Sequence, residues 1–76
     1  MTDLTEERLI YFKKEIYSLR KANRMTQKDV ARYLGIAPQS YQAYESGEAL
    51  PGLRNFLKLA ELFDVTPDEL LGCERF

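Results

Sequence analysis

Residues 26–47 most constrain what this chain can fold into, because their small and apolar residues match two short helices that cross closely. Thr26 is a favourable cap for the first of these helices, with Asp29 three residues later, and Gly35 can end it in a tight turn. Ala31 falls where the two helices approach most closely, and a larger side chain there would push them apart. The apolar positions then predict a core that both helices share: Val30, Leu34, Ile36, Tyr41 and Tyr44.

A longer helix is predicted before this pair. Thr5 can cap it, and Glu6 and Glu7 follow in its first turn, where the helix dipole favours acidic residues. Its apolar residues are spaced 3-4-3, which places them on one face of a helix running to about Asn23: Leu9, Phe12, Ile16 and Leu19.

The second half of the chain also reads as helical, and no segment shows the period-2 alternation of a strand. Pro38 suits the first turn of the third helix, Gly47 can end it, and residues 46–52 form a loop. A fourth, strongly apolar helix follows: Leu53, Phe56, Leu57, Leu59, Ala60 and Phe63. Thr66 caps a short fifth helix that ends before Gly72. We therefore predict an all-α fold, one compact five-helix bundle of residues 1–76, with residues 73–76 as a C-terminal tail.

Composition argues against several function classes. The chain has no histidine and a single cysteine, Cys73, so the commonest general base is absent and no Cys/His zinc site can form. We expect no enzymatic activity, no metal, no cofactor and no small-molecule substrate. No apolar run approaches the ~20 residues that cross a bilayer, and none resembles a signal peptide. We therefore expect a cytoplasmic protein without a membrane partner.

The charges are distributed unevenly, although the net charge is only −1. Residues 1–19 carry −1 and residues 59–76 carry −4, whereas residues 20–58 carry +4. The seven cations of this middle block are Arg20, Lys21, Arg24, Lys28, Arg32, Arg54 and Lys58. The pattern predicts one basic face on an acidic protein, which suits a polyanionic partner.

From about Ile16 to Gly72, the chain resembles the Cro/phage-repressor-like helix-turn-helix family. The matching residues are Arg20, Thr26-Gln27-Lys28-Asp29-Val30-Ala31, Leu34-Gly35-Ile36, Gln39-Ser40, Tyr44-Glu45-Ser46-Gly47, Pro51, Leu57-Lys58-Leu59-Ala60, Phe63, Val65-Thr66 and Leu70-Leu71. The resemblance implies a lambda-repressor-like domain whose helix-turn-helix is formed by residues 26–47. It also implies that the third helix lies in the major groove of double-stranded DNA.

The resemblance carries roles to individual residues. Gln27 matches a glutamine that contacts phosphate from a helix N-terminus, and Gln39 matches one that reads a base edge. Arg20 and Glu45 match a salt bridge between the first and third helices. Further DNA-contacting positions on or beside these surfaces are Lys28, Pro38, Ser40, Gln42, Ala43, Arg54 and Asn55.

Five positions depart from the family pattern. Ala37 stands where a hydroxyl usually caps the third helix, a loss of about 1 kcal/mol. Pro38 has no donor for a base, and at most contacts a thymine methyl group, while Ala43 is similarly unable to hydrogen-bond. Glu48 and Ala49 stand after Gly47, where basic residues are common in the family. Fewer phosphate contacts should weaken binding and flatten its salt dependence.

Residues 1–10 extend the first helix beyond what the family requires, and Ile10 and Tyr17 add apolar surface beside its main stripe. Two interpretations stay open: packing against the C-terminal segment with Leu71 and Phe76, or a dimer contact.

Two hypotheses for the function follow. The first is a sequence-specific, repressor-like transcriptional regulator that binds as a homodimer to DNA half-sites about 34 Å apart. The second is a helix-turn-helix scaffold used as a protein-interaction module, such as an antitoxin or anti-repressor. The acidic balance, Pro38, Ala43 and Glu48 motivate this second hypothesis.

Overall fold

The computed structural model describes residues 4–73, which form five α-helices. These are α1 (Leu4–Ala22), α2 (Gln27–Leu34), α3 (Pro38–Ser46), α4 (Leu53–Phe63) and α5 (Pro67–Leu71). The predicted all-α, five-helix fold is therefore confirmed. None of the helices within the described residues is long and apolar enough to cross a membrane.

The predicted cap at Thr5 is wrong, because α1 already includes Leu4 and Thr5 lies in its first turn. Glu6 and Glu7 lie in the first turn of α1 as observed, and they would also lie there if Thr5 were the cap. The preference of the helix dipole for acidic residues therefore cannot identify the first helical residue.

One core joins all five helices. α2 packs on α3 and α4, while α1 packs on α3, α4 and α5. Most of the buried apolar residues are ones that the apolar pattern predicts, with Ala31 fully buried at the α2–α3 crossing, whereas the predicted apolar residues Leu53 and Leu57 are exposed. They are Phe12, Ile16, Val30, Ala31, Leu34, Tyr41, Tyr44, Leu59, Ala60, Phe63 and Leu70. The prediction that Tyr41 and Tyr44 pack inside is confirmed, and their rings meet edge to face at 6.1 Å.

The turn between α2 and α3 has the predicted construction. Gly35 adopts a left-handed conformation with φ 74°, and its N–H points to the carbonyls of Ala31 and Arg32. Ile36 then donates its N–H to the Ala31 carbonyl at 3.0 Å and packs against the core. This Schellman-type ending satisfies the last carbonyls of α2 and reverses the chain in three residues.

Local capping differs between the helices. Thr26 and Asp29 form a reciprocal capping box at the start of α2, and Thr66 and Glu69 form another at α5. Ala37 provides no side-chain hydrogen bond at the start of α3, as predicted.

The N-terminal extension packs against α5 through a charged residue. Arg8 Nη1 donates to the carbonyls of Leu71 at 2.8 Å and Gly72 at 2.7 Å, which caps the C-terminus of α5. Gly72 combines φ 68° with a close approach, since an added Cβ would lie 2.9 Å from Arg8 Nη1. The extension therefore meets the C-terminal segment at Leu71 through the Arg8 side chain, whereas the apolar residues of the packing interpretation, Ile10 and Tyr17, are exposed. Phe76 lies outside the described residues.

Candidate nucleic-acid interface

The two faces of α3 differ sharply in burial. Tyr41 and Tyr44 point inward and are buried. The predicted contact residues on the other side are exposed, except for half-buried Ala43: Pro38, Gln39, Ser40 and Gln42. The outward side of the helix therefore presents the polar side chains of Gln39, Ser40 and Gln42, and the two amides can both donate and accept hydrogen bonds.

The start of α2 lies beside this region. Gln27 is half-buried and Lys28 is exposed. A shallow surface depression brings together residues from the end of α1 and the first turn of α2: Arg20, Lys21, Met25, Thr26, Gln27 and Lys28. Lys21, Lys28 and the positive end of the α2 dipole make this depression favourable for an anion.

Arg20 and Glu45 form the predicted salt bridge. Arg20 Nε lies 2.7 Å from Glu45 Oε2, and Arg20 Nη2 donates to Glu45 Oε1 at 3.1 Å. Their side chains are 10% and 6% exposed, so the pair is largely removed from solvent. Arg20 Nη1 also donates to the Met25 carbonyl at 3.0 Å, which ties α1 to the turn before α2.

Glu45 receives two further hydrogen bonds. Gln27 Nε2 donates to Glu45 Oε1 at 3.1 Å, and the Tyr41 hydroxyl donates to Glu45 Oε2. One carboxylate therefore connects α1, α2 and α3. We call Arg20, Gln27, Tyr41 and Glu45 the Glu45 network.

Protonation equilibria in this network are displaced. Burial raises the pKa of Glu45, but hydrogen bonds from Arg20, Tyr41 and Gln27 outweigh it and leave the pKa below its ordinary value. Burial and the bond to Glu45 raise the pKa of Tyr41. The hydrogen bond to Glu45 likewise raises the pKa of Arg20. At neutral pH, Arg20 and Glu45 are therefore both charged. The Glu45 carboxylate also accepts hydrogen bonds from the neutral Tyr41 hydroxyl and the neutral Gln27 amide.

The start of α4 completes the candidate interface. Arg54 is exposed in the first turn of α4, and Asn55 Nδ2 donates to the Tyr44 hydroxyl at 3.3 Å. This bond fixes the start of α4 against α3, and Gly52 leaves the first backbone N–H groups of α4 without a side-chain cap. The acidic departure, Glu48, is exposed and accepts from Ser46 Oγ at 3.1 Å.

Sequence reasoning identified the Arg20–Glu45 pair but not the full network. The spacing of Tyr41 and Glu45 by four residues could have suggested their contact on one helix face. The Gln27–Glu45 contact spans 18 residues and depends on the α2–α3 crossing. Among residues 4–73, no group of acidic or cysteine side chains could hold a metal ion.

The chain matches known proteins along most of its length. A helix-turn-helix family model matches residues 16–70. The CTXphi cryptic phage transcriptional repressor RstR of Vibrio cholerae is 42% identical over 60 residues, covering 79% of this chain and 54% of that protein. The regulator AnsR of Bacillus subtilis is 47% identical over 57 residues, covering 75% of this chain and 49% of AnsR.

A solved structure has the same fold. The crystal structure of a transcriptional regulator from Listeria innocua superposes with a TM-score of 0.79 at 26% identity, covering 86% of this chain and 61% of that one. The chain spans about half the length of the curated relatives that it matches. With 42–47% identity to these relatives and a family model over residues 16–70, the chain belongs to the Cro/phage-repressor-like helix-turn-helix family.

Proposed function

We propose that this chain is a sequence-specific DNA-binding regulator of transcription, with a repressor-like mode of action. The observation that carries the proposal is the exposed polar face of α3, with Gln39 and Gln42 directed away from the core. The relatives support it, since RstR is named a transcriptional repressor and AnsR a transcriptional regulator. A protein acting on bacterial DNA works in the cytoplasm, and that location is part of the proposal.

In this proposal α3 enters the major groove. Gln39 reads a base edge because its amide can donate and accept at once, and Ser40 and Gln42 add polar contacts. Pro38 and Ala43 have no donors in their side chains, so they contribute at most apolar contacts with thymine methyl groups. This leaves fewer direct base contacts than a fully polar helix would make.

Contacts with the sugar-phosphate backbone of DNA would lie on both sides of α3. Gln27 and Lys28 lie in the first turn of α2, and Arg54 and Asn55 lie in the first turn of α4, whose start has no side-chain cap. Helix N-termini with nearby cations suit phosphate groups. Such contacts fix the orientation of the protein on DNA and make its affinity depend on salt.

A homodimer is also part of the proposal, since paired recognition helices would read two half-sites about 34 Å apart. Its support is the pair of exposed apolar residues Leu53 (73% exposed) and Leu57 (47% exposed), which lie four residues apart on α4, next to the proposed DNA contact of Arg54. Exposed apolar groups so clustered are typical of protein contacts. In sedimentation experiments with operator DNA, the Leu53→Ser variant is expected to bind as one protomer per duplex, where the wild-type protein binds as two.

Selection of bound duplexes from a random DNA pool tests the function. We expect enrichment of a palindrome whose half-sites are about ten base pairs apart, centre to centre. Failure to enrich any sequence at low salt would contradict the proposal. Capture of a stable protein partner that covers Gln39, without DNA binding, would instead favour the protein-interaction module.

A further inference from the structure

Gln27 combines a proposed contact with DNA and an observed contact within the chain. Its Nε2 donates to Glu45 Oε1 at 3.1 Å. A primary amide nitrogen carries two hydrogens, and this contact uses one of them. The second N–H remains for another acceptor on the half-exposed side of Gln27.

The Glu45 carboxylate determines which way this amide faces. An ionised carboxylate is an acceptor only, so an amide turned by 180° would place two acceptors against each other. The carboxylate cannot readily rotate away, because Arg20 Nε holds Oε2 at 2.7 Å and Arg20 Nη2 holds Oε1 at 3.1 Å. Tyr41, packed in the core, holds Oε2 as well.

Charge is the second requirement, because a carboxylate near DNA would ordinarily repel phosphate. Here Arg20 neutralises Glu45 within a pair that is largely removed from solvent. The Arg20 guanidinium is itself held over the Tyr17 ring, 5.4 Å from its centroid. Lys21 and Lys28 line the surface depression next to Gln27. Glu45 can therefore orient a donor without presenting a net negative charge to the ligand.

From this geometry we infer that Glu45 is a positioning residue for phosphate recognition. It holds Gln27 Nε2 towards itself, and the second N–H of Gln27 is thereby presented to a DNA phosphate at the start of α2. The inference rests on the proposed DNA-binding function, and it assigns Glu45 a role in binding beyond its structural pair with Arg20.

The free protein tests the first half of this inference. The side-chain amide protons of Gln27 are followed by NMR as the pH is lowered through the titration of Glu45. We expect one Gln27 proton to shift with that titration and the exposed amide of Gln42 to stay unchanged. Arg20 and Tyr41, the other groups facing Glu45, do not titrate in acid. Asp29 does titrate in acid. The variant Glu45→Gln removes the titration of Glu45 and keeps that of Asp29, so it separates the two contributions to the shift of the Gln27 proton.

The selected duplex tests the second half. Adding it to the wild-type protein should shift the second Gln27 amide proton, a measurement that needs no variant. Dissociation constants are then compared for Gln27→Met, Glu45→Asp and the double variant. Glu45→Asp keeps a charge for Arg20 but shortens the reach to Gln27. Each single change should weaken binding about tenfold, and the double variant should bind no more weakly than Gln27→Met.

Two results would overturn the inference while leaving the proposed function intact. One is a Gln27 amide that ignores the titration of Glu45. The other is a duplex whose binding neither shifts Gln27 nor couples the two substitutions. A wild-type protein that binds no duplex at all would reject the proposed function, and the inference with it.

Discussion

α2 and α3 are neighbouring helices of eight and nine residues, yet they are held in place by different means. α2 begins with its own capping box, in which Asp29 N–H donates to Thr26 Oγ1 at 3.0 Å and Thr26 N–H to Asp29 Oδ2 at 2.8 Å. α3 begins at Ala37 with no side-chain cap. The difference shows that the start of α2 is fixed by a local side-chain cap, whereas the start of α3 has no such cap and depends on tertiary contacts of the helix.

Those tertiary contacts leave the other face of α3 free. Tyr41, Tyr44 and Glu45 make the inward contacts of α3, and Gln39 is not part of the hydrophobic core. Stability and base reading can therefore be changed separately in α3, and substitutions on the two faces should have different effects.

The largest effect is expected from Glu45→Ala. Removing one partner of a buried charge pair leaves Arg20 uncompensated, which should lower the free energy of unfolding by about 3–5 kcal/mol. Urea denaturation measures this loss. Arg32→Ala is the matched control, because Arg32 is 81% exposed and lies 3.9 Å from Asp29; a change within about 0.5 kcal/mol is expected there. Equal effects of the two substitutions would refute the role assigned to the inward face.

The same network predicts a loss of stability in acid. The pKa of Glu45 is lower in the folded chain than its ordinary value of 4.5, so folding favours the ionised form. Its stabilising contribution is present above pH 4.5 and is lost as the pH falls through the folded value. Thermal unfolding should show the melting temperature falling in this range. Asp29, whose pKa the Thr26 hydrogen bonds also lower, contributes in the same direction. Glu45→Gln should therefore reduce the pH dependence without abolishing it.

On the outward face, Gln39→Ala should weaken binding to the selected duplex about tenfold or more, because a base contact contributes about 1–3 kcal/mol. Urea denaturation should detect little change, since Gln39 is exposed. Ser18→Ala, at an exposed position on α1, serves as the control for binding. An unchanged affinity of the Gln39→Ala variant would contradict the proposal that Gln39 on α3 reads a DNA base.

The smallest effects concern the two helix starts. Thr26→Ala should destabilise the fold by about 1 kcal/mol, because it removes the cap of α2. Ala37→Ser should stabilise it by a similar amount, since Ala37 already has the extended backbone of a cap, φ −69° and ψ 146°. Chemical denaturation of both variants measures the contrast. A neutral Ala37→Ser would show that α3 gains nothing from local capping.

The sequence was informative where local chemistry decides the structure. Thr26 with Asp29, Gly35 and Ala31 set the α2 cap, the turn and the helix crossing, and each has the predicted place. Apolar periodicity was less reliable at the surface: Leu53 and Leu57 belong to a strongly apolar helix but are exposed, because α4 buries its other face on the core.

Other features depend on contacts between distant parts of the chain. Gln27 has the sequence context of a free phosphate-binding amide, and its bond to Glu45 exists only once α2 and α3 cross. Arg8 looks like a solvated cation in a helical extension, yet it caps α5 across 63 residues. Neither partner can be deduced from spacing, because tertiary packing determines both.

The salt dependence of affinity for the selected duplex, measured beside a scrambled duplex of equal length, tests the central claim most directly. If the outward face of α3 reads DNA while phosphates bind α2 and α4, the selected duplex should bind about 10³-fold or more tightly than the scrambled one. Both affinities should fall as salt rises. Equal affinity for the two duplexes, or binding that is indifferent to salt, would contradict the account.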